Sequence, residues 1–124
     1  MKIILVPLAF ALLFSQSAQS AQSGISFKKQ VAPILHDYCL NCHEPGGKGF
    51  ETSGLDMRSY ASLMKGTRFG SVIQPGDGFS SILIQVIEGR VHVSIRMPYG
   101  MNGSLSKEKI SVLKSWVDQG AKDN

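Results

Sequence analysis

Cys39-Leu40-Asn41-Cys42-His43 is the stretch on which the reading of this 124-residue chain turns. It places two thiols three positions apart and an imidazole directly after the second. A disulfide between them would close a very short loop and add little stability, because a cross-link acts through the loop it closes. It would also leave His43 without a role. A redox dithiol of this spacing belongs in a βαβ setting, and no strand alternation persists around it. A zinc site needs four ligands, and these are the only two cysteines in the chain.

The C-x-x-C-H pattern is one of haem attachment. Two thiols so spaced at a helix end can each form a thioether with one of the two vinyl groups of a single haem. The next side chain, His43, then projects under the porphyrin and meets the iron. Its other ring nitrogen is expected to donate to a backbone carbonyl, fixing tautomer and orientation.

Upstream of the motif, Phe27, Val31, Ile34, Leu35 and Tyr38 recur on one helical face, with Ser26 as N-cap. Pro33 lies inside this pattern and either kinks the helix or opens a second one. Earlier still, Lys2 precedes an apolar run from Ile3 to Phe14 and a small, polar tract from Ser15 to Ala21. Basic start, short apolar core and small-residue exit predict a secretory signal peptide over residues 1–20 and a mature domain over 21–124. Twelve apolar residues are too few to span a bilayer, which takes about 20, so stable membrane insertion is not expected.

Downstream, the Gly- and Pro-rich run Glu44 to Gly49 reads as an irregular loop. Asp56 or Ser59 then caps a short helix carrying Tyr60, Leu63 and Met64, stopped by Gly66. Phe79, Ile82, Leu83, Val86 and Ile87 recur at helical spacing up to Gly89. Residues 90–103 show no clear period. Ser106 caps the last helix, Leu105 staples onto Ile110, and Ile110, Leu113, Trp116 and Val117 form its stripe before Gly120. Four short helical patterns and no sheet predict an all-α fold. The net charge of +4 is scattered, with no basic run or aromatic interleaving that would suggest nucleic acid.

For the second axial ligand the candidates are His92, Met57, Met64, Met97 and Met101. Met64 lies on an apolar helical face, where methionine usually fills core. Met57 follows His43 by a short stretch for a chain that must go around a haem, and His92 sits in an alternating, polar-looking segment. Met97 is followed by Pro98 in a glycine-bounded loop, a stiff segment suited to holding a thioether.

Several further matches appear in order: Pro33-Ile34-Leu35 before the haem motif, then Gly54-Leu55-Asp56, Pro75-Gly76-Asp77 before Ser80 and Ser81, Met97-Pro98, and Trp116-Val117-Asp118-Gln119-Gly120-Ala121. On these residues the chain, from about Phe27 to Ala121, resembles a class I cytochrome c, most closely the planctomycete-type monohaem cytochrome c domain. The resemblance implies a small cytochrome c-like helical fold wrapped around one covalent haem c. It also implies Met97 as axial sulfur and a crossing of first and last helices near Trp116. Val91 to Ile95 is longer than the family pattern leads one to expect.

With His43 and Met97 on the iron, no open site remains for a substrate. The expectation is therefore an exported, periplasmic electron-transfer protein with donor and acceptor redox partner proteins, and not an enzyme. The alternatives are a haem-based ligand sensor with a displaceable Met97, and a haem subunit of a periplasmic dehydrogenase.

Overall fold

A computed structural model describes residues 24–100 and 105–124. The signal-peptide region and Met101 lie outside the described residues. Among the described residues there is no strand, only an isolated bridge between Thr67 and Gly70. Helices are Ala32–Tyr38 (α1), Lys48–Ser53 (α2), Tyr60–Lys65 (α3), Ile82–Glu88 (α4) and Lys107–Asp118 (α5). None is long and apolar enough to cross a membrane.

The first helical pattern resolves into two pieces with a physical cause. Phe27–Val31 forms a π-turn, in which the Ala32 N–H donates to the Phe27 carbonyl, and Pro33 opens α1 behind it. A proline ring crowds the carbonyl four residues back and has no N–H of its own, so a widened turn accommodates it. The Ser26 side chain accepts from the Lys29 N–H, as a cap should. Ser59, not Asp56, caps α3, exchanging hydrogen bonds with Ser62 in a reciprocal capping box. Asp56 instead pairs with Arg58. α4 ends on Gly89 in the left-handed region, φ 72°.

Two expectations need correction. Lys48 and Gly49, read as the end of the Glu44–Gly49 loop, instead open the helix Lys48–Ser53. Phe79 lies before α4 and is exposed, with the Arg90 guanidinium 4.5 Å above its ring. It gains a cation–π contact there rather than a place in the core.

The core gathers Phe27, Val31, Leu35, Leu63, Ile73, Ile84, Leu113, Trp116 and Val117. Trp116, 1 % exposed, is its hub. Its ring centroid lies 5.4 Å from that of Phe27 and 6.4 Å from that of Tyr60, the latter edge-on. The π-turn and α5 therefore meet at Trp116. After α5 the chain turns through left-handed Ala121, and its carbonyls accept from Tyr60 Oη (2.8 Å, Ala121 O) and Trp116 Nε1 (2.9 Å, Lys122 O). Asn124 then receives the Phe27 and Lys28 N–H groups, closing the two ends of the domain on each other.

Candidate haem-attachment site

α1 delivers the motif. Its last turn ends with Cys39 and Leu40 N–H groups both donating to the Leu35 carbonyl, and the chain continues as a tight turn. The His43 N–H donates to the carbonyls of Cys39 and Leu40, both at 3.0 Å, so the two thiols and the imidazole share one turn. Both cysteines are free thiols, Cys39 half-buried and Cys42 exposed. Burial, followed by the neighbouring Cys42, pushes the Cys39 thiol up to about 11, so it stays neutral near pH 7.

His43 is 8 % exposed, which is unusual for a histidine at the end of a surface turn. Its Nδ1 is buried and makes no hydrogen bond, where the sequence leads one to expect a backbone carbonyl. The Leu55 backbone is the polar group that favours the charged ring. Burial outweighs it and holds the imidazole below its usual range. A neutral imidazole is the form that binds metal.

The segment after the motif folds back over it. Phe50 N–H donates to the Cys42 carbonyl and Met57 N–H to the His43 carbonyl, each at 2.8 Å. This return brings the Gly47 and Gly49 backbones against the motif. A Cβ on Gly47 would lie 2.5 Å from the Cys42 carbonyl oxygen, and one on Gly49 would lie 2.7 Å from His43 Cε1. Sequence reading took these glycines as loop punctuation; the signal for a second role was their placement directly after the motif.

Met97 comes from elsewhere. Its N–H donates to the Val86 carbonyl of α4 at 3.0 Å, and its side chain is half-buried against the core that Cys39 and Leu40 also touch. Beside it is a cleft of ≈ 270 Å³ lined by Val86, Ile87, Glu88, Gly89, Arg96, Met97 and Pro98. No hydrogen bond joins Met97 to the Cys39–His43 turn among the described contacts. A cavity of ≈ 430 Å³ beside Trp116 and Asn124 includes none of the motif residues. Met57 is buried and Met64 half-buried in the core. His92 is exposed, with its Nδ1 engaged by Ser94.

These residues fit a haem. Two free thiols of matching spacing can carry it, and burial holds the adjoining imidazole in its neutral form. Among the described residues no group of three or more His, Cys, Asp or Glu side chains is arranged to hold a bare metal ion. A donor set that supplies one or two axial ligands needs a macrocycle for the rest.

A helical fold with no sheet among the described residues, carrying Cys-x-x-Cys-His on such a turn, is that of a cytochrome c-like domain with an attachment site for one covalently bound haem c. Residues 39–98, just under half of the chain, match the family model described as Planctomycete cytochrome C. Domains of this family carry electrons and are not enzymes. No curated protein and no solved structure matches the chain. The matched segment begins at Cys39 and closes on Met97-Pro98, so the π-turn, α1 and α5 lie outside it.

Proposed function

We propose that this chain is an exported, periplasmic electron carrier whose haem iron is held by His43 and Met97. The observation that carries the reading is the Cys39–His43 turn, with both thiols free and the imidazole buried beside them. Cys39 and Cys42 hold the porphyrin through thioethers. His43 gives a neutral nitrogen on one face. Met97, tied to α4 through its N–H, gives a neutral, soft sulfur, which favours ferrous over ferric iron and raises the potential. When bound, haem c supplies one-electron exchange between ferrous and ferric iron. Among the described residues Phe69, Phe79, Ile82, Val93, Ile95 and Tyr99 are large apolar side chains left exposed. Residues 1–20 direct export.

One observation favours a second reading. The cleft beside Met97 leaves room next to the proposed sulfur ligand, and a displaceable Met97 would make the protein a ligand sensor. Mass spectrometry of protein isolated from the periplasm should find an N-terminus near Ala21 or Gly24 and the mass of one haem. The absorption spectrum of the reduced protein should stay unchanged under carbon monoxide. Retention of Met1 on the haem-loaded chain overturns export, and ready carbon monoxide binding transfers the function to sensing.

A further inference from the structure

Gly49 is the second residue of α2, and alanine is the better helix former. Its backbone lies outside the left-handed region, so turn geometry does not demand glycine. The neighbour does. A Cβ there would lie 2.7 Å from Cε1 and 2.9 Å from Nε2 of His43, and 2.9 Å from the Cys42 carbonyl oxygen. Those separations are closer than real Cβ contacts allow, so a methyl group and the present ring position are mutually exclusive.

The ring has little freedom to retreat. The ring is buried, and the His43 backbone that carries it is held by its N–H on the Cys39 and Leu40 carbonyls and by the Met57 N–H on its carbonyl. The Gly49 side is equally fixed, because Phe50 N–H holds the Cys42 carbonyl. We propose that Gly49 is a positioning residue for His43: the missing side chain sets the tilt of the imidazole and so the direction in which Nε2 is presented to iron. The inference rests on the reading of His43 as an axial ligand. Gly49 itself touches the ligand ring and acts only through it.

The test uses the oxidised, haem-loaded protein and compares Gly49→Ala with Lys48→Ala, a change at the exposed preceding position. Gly49→Ala should keep the haem stain on a denaturing gel, since both thiols are untouched. Its electron paramagnetic resonance g values and the paramagnetically shifted ring-proton resonances of His43 should move away from wild type. Lys48→Ala should match wild type in both. Spectra of Gly49→Ala superimposable on wild type overturn the inference alone, whereas a wild type without covalent haem overturns the parent reading and the inference with it. Should Gly49→Ala fail to accumulate, covalent haem yield is compared between His43→Ala and the Gly49→Ala/His43→Ala double variant. Equal yields support the ring as the clashing group, and a further loss in the double variant overturns it.

Discussion

The N–H of Met57 donates to the carbonyl of His43 across 2.8 Å, although the two residues are separated by the whole of α2. The chain after the haem motif thus returns to the histidine it has just left. Met57 is buried in the core there, and its role is to fasten the return strap. The proposed sulfur ligand, Met97, lies farther along the chain, where its N–H hangs from the Val86 carbonyl.

Substitutions at the two methionines should therefore behave differently. Oxidised wild type should show the weak far-red charge-transfer band of sulfur on ferric iron. Met97→Ala should abolish it, lower the potential and open the iron to carbon monoxide. Met57→Leu nearly conserves volume, so it should cost under about 1.5 kcal/mol of stability and leave the band intact. His92→Ala and Met101→Ala should also retain it. Loss of the low-spin spectrum in His92→Ala would replace the sulfur by a second imidazole and imply a lower potential.

Trp116 packs tilted against Phe27 of the π-turn and donates to the Lys122 carbonyl. Trp116→Ala should lower unfolding stability by about 3–5 kcal/mol, as large aromatic deletions in a core do. Trp116→Phe keeps most of the contact area but leaves the Lys122 carbonyl without its donor, for a loss of about 1–3 kcal/mol. Denaturant titration of the haem-loaded protein, followed by far-ultraviolet circular dichroism, measures both. An unchanged stability in Trp116→Phe would remove the hydrogen bond from the account.

Asp118 at the end of α5 accepts from Lys114 Nζ (2.9 Å) and from the Gly78 N–H (2.7 Å). The lysine first, and the Gly78 amide after it, hold its carboxyl below the ordinary value of 3.8. A depressed carboxyl pKa adds stability above the unfolded-state pKa, and that stability disappears as pH falls through the folded one. Asp118→Asn should be less stable than wild type at pH 7, and the difference should shrink as pH falls below about 4. Thermal melts at a series of pH values read this directly. A difference independent of pH would mean that the charge contributes nothing and only shape matters.

The sequence by itself determined what neighbours along the chain decide. The thiol and imidazole spacing of Cys39, Cys42 and His43 is local, as are the caps at Ser26, Ser59 and Ser106, the stops at Gly66 and Gly89, and the apolar stripe of α5. Each rests on bonds or periodicities spanning a few residues, so each is legible without the fold. Pro33 marked a break, but not that a π-turn would absorb it. Tertiary structure alone decided where distant backbone returns. It made a helix of Lys48–Ser53, pressed Gly47 and Gly49 against Cys42 and His43, left Phe79 on the surface and bound Asn124 to the first turn. The physical reason is that a glycine needed for close approach and a glycine needed for a turn are the same letter. Only the atoms that come to lie beside it distinguish them.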